Sequence, residues 1–182
     1  MKRFFLLPFA LLFLSGAAAA QDWNWRVVSA RDGSWRVNAP GPLTPDKEAE
    51  ALASKKGSYS YNDFYGYFGV VYRDAKESVW TLKPDHSRHY KKVRDDFIKA
   101  SRGELLSEEK FASGDVAGRN VRIKIPVGQM TDFEGKSITK YRIERLRMFF
   151  VGNRFYLLVA VLPADIVDTP NVDKFFDSFS AN

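Results

Sequence analysis

The chain has 182 residues, no cysteine, and 28 basic against 22 acidic side chains, for a net charge of +6. Without cysteine there is no disulfide staple, thiolate nucleophile, redox pair or thiolate metal site, so stability must come from packing alone. After the N-terminus no apolar run approaches the length of a membrane-spanning helix. The longest, FYLLVAVLP, has the length of a strand.

Residues 1–20 have the three parts of a secretory signal peptide. Lys2 and Arg3 supply the positive start, FFLLPFALLFL an apolar stretch too short to span a bilayer comfortably, and SGAAAA the small residues, with Ala18 and Ala20 framing the cleavage site. The mature chain, 21–182, then holds 162 residues, which fits one domain and suits a periplasmic or secreted protein with no transmembrane segment after cleavage. Charge is uneven along it. Residues 21–85 carry nine groups of each sign, residues 86–154 sixteen basic and nine acidic, and residues 155–182 one basic and four acidic.

In chain order, WNWRVVS at 23–29 is rich in aromatic and β-branched residues and reads as a strand. Asp32-Gly33 reads as a turn, and WRVNAP as a second strand stopped by Pro40-Gly41-Pro42. Residues 43–56 lack an apolar stripe and read as loop or edge strand. SYSYNDFYGYFGVVY at 58–72 reads as a hairpin turning at Asn62-Asp63. Tyr59, Tyr61, Tyr65 and Tyr67 share one parity, and Phe64, Phe68, Val70 and Tyr72 the other. Apolar matter on both faces marks a strand between layers, so these rings are read chiefly as core.

Residues 85–102 read as a helix capped by Asp85, with Tyr90, Val93, Phe97 and Ala100 as the stripe, Lys91–Asp95 and Asp95–Lys99 as outer ion pairs, and Gly103 as the stop. ELLSEEKFAS and RNVRIKIP read as hairpin arms around a Gly114–Gly118 turn. Val121, Ile123 and Ile125 face in, and Arg122 and Lys124 face out. Residues 126–139, with Gly128 and Gly135, read as a long loop. Two β-rich arms then meet at Gly152-Asn153, the second apolar at both parities and therefore central. TPNVDKFFDSF reads as a helix capped by Thr169, with Pro170 at its first position and Val172, Phe175, Phe176 and Phe179 inward.

Catalytic signatures are scarce. Gly135-Lys136-Ser137 resembles the end of a phosphate-binding loop, but Met130 stands where the leading glycine is required; no GxSxG elbow or EF-hand spacing occurs. His86 and His89 lie one turn apart with Asp85 beside them. Four cations crowd the same turns, so a solvated helix start is the reading and no metal or cofactor is assigned.

Two surfaces remain. Arg122 and Lys124 on one strand, with Arg142, Arg145 and Arg147 on another, form a candidate anion- or partner-binding patch. Lys140 and Arg142 join Arg145 and Arg147 on one face only if a bulge falls near Ile143-Glu144. Reversing the charge of two patch residues is expected to weaken binding and spare stability. Tyr65 and Tyr67 are candidates for lining a ligand pocket, which would make the chain a small-ligand carrier. A third alternative is a hydrolase built around His86 or His89.

DGSWRVNAPGPL, YFGVVYRDA, LRMFFVGNRFYLLVAVLP and FFDSF together resemble exported bacterial proteins with the PsbP-like fold, that of the extrinsic oxygen-evolving protein of photosystem II. The resemblance implies an antiparallel sheet flanked by helices on both sides and a non-enzymatic module that binds other proteins or the envelope. It carries no catalytic residues. The expectation is an α+β domain with a single antiparallel sheet of about six or seven strands. It would act without catalysis, against another envelope protein or an anionic envelope component and not against nucleic acid.

Overall fold

The computed structural model describes residues 23–45, 56–74 and 86–182. Residues 1–20, read as a signal peptide, together with Asp85 and most of the 43–56 segment, lie outside the described residues. Among the described residues ten strands and two helices follow in order: β1 (Arg26–Ser29), β2 (Trp35–Ala39), β3 (Thr44–Pro45), β4 (Lys56–Asn62), β5 (Tyr67–Asp74), α1 (Ser87–Ser101), β6 (Glu104–Ser113), β7 (Val116–Thr131), β8 (Ser137–Val151), β9 (Arg154–Pro163), α2 (Pro170–Asp177) and β10 (Ser180–Ala181). They build an antiparallel seven-stranded sheet in the order β3-β4-β5-β9-β8-β7-β6. A separate three-stranded sheet has the order β1-β2-β10. The expectation of a single sheet is corrected here. Trp35, Val37 and Ala39 of β2 are fully buried in the core that also holds Phe68, Val70 and Leu158 of the larger sheet, so the small sheet packs across it instead of extending it.

Strict alternation sorts the core into two clusters, because a strand turns successive side chains to opposite faces. On β9, Tyr156, Leu158, Ala160 and Leu162 join Phe68, Val70, Tyr72 and Phe149, together with the small sheet and Val172, Phe175 and Phe176 of α2. Phe155, Leu157 and Val159 join Val121, Ile123, Leu146 and Met148, together with Tyr90, Val93 and Phe97 of α1. β9 is apolar on both sides because it is central, lying between β5 and β8.

Helix ends differ from the sequence reading in detail. The N-cap of α1 is His86, with no side-chain cap bond. Its last turn closes through Arg102 in the left-handed region (φ 52°), with the Gly103 N–H donating to the Ile98 carbonyl. The i,i+4 ion pair is Lys92–Asp96, while Asp95 accepts from Arg94. α2 begins as expected, at Thr169-Pro170.

The largest departure is at 126–139. Instead of a loop, β7 and β8 continue as a paired ribbon to Thr131↔Ser137, and only 132–136 turn. β6 stops opposite Lys124 and β9 stops opposite Arg142. Past those points β7 and β8 pair, among the described residues, only with each other, over about 20 Å at ~3.4 Å per residue. Pro126 does not end the strand, because the ladder shifts by one residue at Val127 and absorbs it.

Candidate functional site

The basic patch divides by face and by partner. The bulge falls on β7 at Val127, so β8 alternates without interruption from 137 to 151. Arg145 and Arg147 share the α2 face with Arg122 and Lys124, whereas Lys140 and Arg142 turn to the α1 face.

Three of the arginines are engaged within the protein. Arg122 grips Asp168 with both terminal nitrogens, at 2.5 and 2.8 Å, and this bond holds the Asp168 carboxyl below the usual range. Arg145 donates to the Val167 carbonyl at 2.9 Å and to Asp173 at 2.8 Å. Arg147, 9% exposed, donates to Asn120 at 3.0 Å and Asp177 at 2.8 Å, and its guanidinium lies 4.4 Å from the Phe111 ring centre. Asp173 and Asp177 belong to α2 and Asp168 to the turn before it. The arginines therefore fasten α2 to the sheet and are not presented as a free anion-binding row. Lys124 stands over the Tyr141 ring at 4.2 Å, and Arg142 has no carboxylate partner among the described residues.

The two tyrosines are separated as well. Tyr65 is exposed in the 63–66 turn, edge-on to the exposed Phe64, while Tyr67 packs against the α1-side cluster. A shallow groove beside α1 is lined by Ser87, Arg88, Lys91, Arg94 and Glu108, and by neither tyrosine. The His86 ring stacks on Phe150 at 3.9 Å, and the His89 ring meets Phe155 edge-on at 4.6 Å. Burial, with Arg73 next, lowers the His89 pKa to about 4. Among the described residues no three His, Asp or Glu side chains gather where a metal could bind.

Two features had little signal in the sequence. Glu144, read only as an interruption in a basic run, is 6% exposed between Ile123 and Val161. Its Oε2 has no hydrogen-bond partner among the described residues, and burial raises its pKa to about 7. The second is a clustering of exposed apolar side chains. Residues Tyr67, Val161, Glu144, Ile123 and Leu105 lie in one row across the sheet, close to one end of it. Beyond or beside that row stand Phe64, Tyr65, Leu105, Leu106, Val127, Met130, Phe133, Ile138 and Tyr141. These are nine of the ten large apolar side chains left exposed among the described residues; the tenth is Val27. Scattered exposed apolar residues are ordinary, but their gathering at one end is not. The alternation in QMTDFEGKSITKY carried part of this signal, once its glycine is taken as a turn and not as a loop.

This architecture matches solved structures. Cyanobacterial PsbP from Synechocystis aligns with a TM-score of 0.58 at 12% identity, covering 93% of this chain and 99% of that one. The Saccharomyces cerevisiae Ran-binding protein Mog1p aligns with a TM-score of 0.49 at 11% identity, over 87% of this chain and 96% of that one. A Bacteroides thetaiotaomicron protein gives 0.49 at 12% identity, over 86% of this chain and 48% of that one. No family model matches the sequence. No curated protein matches it either. The chain thus has the PsbP-like fold, as its sequence motifs implied. At 12% identity the likeness is one of fold.

Proposed function

We propose that this protein is a non-catalytic interaction module of the bacterial envelope, exported by its N-terminal signal. On this reading it meets a protein partner with the end of the large sheet from which the β7–β8 ribbon projects. The observation that carries the reading is the gathering there of nine exposed apolar side chains, five of them (Val127, Met130, Phe133, Ile138 and Tyr141) on an arm that no neighbouring strand supports among the described residues. A sheet held between a helix on one side and a helix with a small sheet on the other spends its interior rings on packing, leaving the exterior for recognition. An interface core is enriched in aromatic residues and methionine, which the arm supplies as Phe133, Met130 and Tyr141. The engaged arginines speak against an anion-binding role on the α2 face, and the separated tyrosines against an enclosed pocket.

The test is site-specific photo-crosslinking in cells that make the protein. A photoreactive residue in place of Phe133 is expected to capture a partner in the periplasmic or secreted fraction. The same residue at Asp115, in the turn at the opposite end of the sheet, is expected to capture none. Adducts from Asp115 alone, or the protein in the cytoplasmic fraction, would count against the reading.

A further inference from the structure

We infer that the projecting ribbon receives an extended segment of a partner protein, which adds a strand to β8 at residues 137–141. This inference rests on the proposed role of that end as the interaction surface.

The two edges of the ribbon differ. On the β7 edge stand Pro126, which has no N–H to offer, and the bulge at Val127; both discourage strand addition. The β8 edge from Ser137 to Tyr141 has no proline and no bulge, and among the described residues it pairs only with β7. It faces the lane that β9 would occupy had it not stopped at Pro163, opposite Arg142.

The β4–β5 turn stands at the inner end of this lane, beside the last residues of β9. Asp63 shapes that turn by accepting from the N–H groups of Tyr65 and Gly66, each at 2.9 Å. Gly66 lets the turn close on the end of β9, since a Cβ there would lie 2.3 Å from Leu162 Cδ2 and 2.5 Å from the Val161 carbonyl oxygen. Phe64 and Tyr65 are thereby held exposed beside the lane. The β8 edge at 137–141 thus offers backbone that pairs on one side only among the described residues, with exposed aromatic rings near its inner end, which is the geometry of strand addition.

Side-chain chemistry selects the segment. Ile138, Lys140 and Arg142 lie on one face of β8, and Thr139 and Tyr141 on the other, with Lys124 over the Tyr141 ring. Between 124 and 142 the ribbon carries four cations, Lys124, Lys136, Lys140 and Arg142, against Asp132 and Glu134. Asp132 is turned onto its own loop, accepting from the N–H groups of Glu134 at 3.0 Å and Lys136 at 2.7 Å. The complement is a strand that alternates apolar and acidic residues. A lipid surface fits less well, because Asp132 and Glu134 flank Phe133 at the tip and would have to be dehydrated with it.

The probe is a random twelve-residue peptide library panned against the folded mature chain, followed by hydrogen exchange of the chain with the enriched peptides. The proposal expects acidic–apolar alternation in those peptides and slowed exchange at 137–141. It expects affinity to fall at least tenfold in a Lys140→Glu/Arg142→Glu double variant that keeps its melting temperature. Thr139→Pro, which removes an N–H from this strand, should also weaken binding, and Asp115→Lys should not. The absence of enriched peptides, protection mapped elsewhere, or unchanged affinity in the double variant would overturn the proposal. So would arm-dependent binding to phosphatidylglycerol vesicles without peptide binding, or a dimer of this chain paired along β8. If Phe133 crosslinks a partner while 137–141 stays unprotected, strand addition fails and the interaction reading survives.

Discussion

Arg147 shows how far a side chain's place can depart from its type. Its guanidinium is nearly buried, yet it is hydrogen-bonded to Asn120 and Asp177 and lies against the rings of Phe111 and Phe176. Removing such a group strands its partners and also removes packing. Arg147→Met should lower stability by about 1–3 kcal/mol in denaturant unfolding, a figure kept modest because Asp177 is well exposed. Lys124→Glu and Arg142→Glu should stay within about 0.5 kcal/mol, as substitutions away from such networks usually do. Equal effects at Arg147 and Arg142 would contradict the division of the patch into fastening and free members.

Glu144 and His89 give the protein two opposed pH dependences. Burial raises the folded pKa of Glu144 to about 7 from 4.5, so the folded state holds the extra proton and stability falls as pH rises through that window. Burial lowers that of His89 to about 4 from 6.5, so the unfolded state binds the extra proton and stability is lost as pH falls through that window. The two slopes nearly cancel between pH 4.5 and 6.5. Glu144→Gln should stabilise by about 2–3 kcal/mol at pH 8, hardly at all at pH 4, and leave a stability that rises with pH between 4 and 6.5. His89→Gln should leave one that falls between pH 4.5 and 7, because only the Glu144 slope remains, and this is the larger of the two residual slopes since the His89 ring is only half-buried. Denaturant midpoints across pH for the two variants check both signs.

At the scale of elements, what was legible depended on whether a segment's own pattern decided its structure. β9 announced itself by apolar residues at both parities, and α2 by a Thr-Pro start and a phenylalanine stripe. The β7–β8 ribbon did not, because Pro126, Gly128 and Gly135 are punctuation in a sequence, while in the fold one bulge absorbs the first two and only 132–136 turn. Gly118 misled in the other direction. It reads as a turn residue, but it lies within β7, where a Cβ would stand 2.0 Å from the Met148 carbonyl oxygen. Neither backbone can yield cheaply there, so Gly118→Ala should cost at least about 2 kcal/mol, measured by denaturant unfolding. Replacing residues 128–139 by Asn-Gly should cost under about 1 kcal/mol, because the arm buries little and a shorter connection loses less entropy.

For the whole molecule, the fold followed from its hydrophobic pattern and the surface did not. Alternation and helical spacing specified the faces of β7, β8, β9 and α2. Parity carried across the β4–β5 turn misplaced Tyr59 and Tyr61, which pair with Val70 and Phe68 and share their cluster, while Tyr67 enters the other. The signature stretches pointed to the PsbP-like arrangement that the solved cyanobacterial PsbP shows. Four of the five patch residues share the α2 face, but the engagement of three of them was not legible, for a reason of long range. Asp168, Asp173 and Asp177 lie 46, 28 and 30 positions from Arg122, Arg145 and Arg147, and only the packing of α2 and the turn before it brings them to the arginines. The separation of β1, β2 and β10 into a second sheet is likewise a matter of tertiary packing, since strands of either sheet look alike locally. What is left outside the packed interior, among the described residues, is an asymmetric sheet, one end apolar and extended, the other carrying the short turns at 114–115 and 152–153.

The most direct measurement of that asymmetry is quantitative capture from the native envelope extract with two immobilised chains, the wild type and one with residues 128–139 replaced by Asn-Gly, matched for melting temperature. The account predicts that proteins enriched by the wild type are lost from the shortened chain. Undiminished capture by the shortened chain would contradict it.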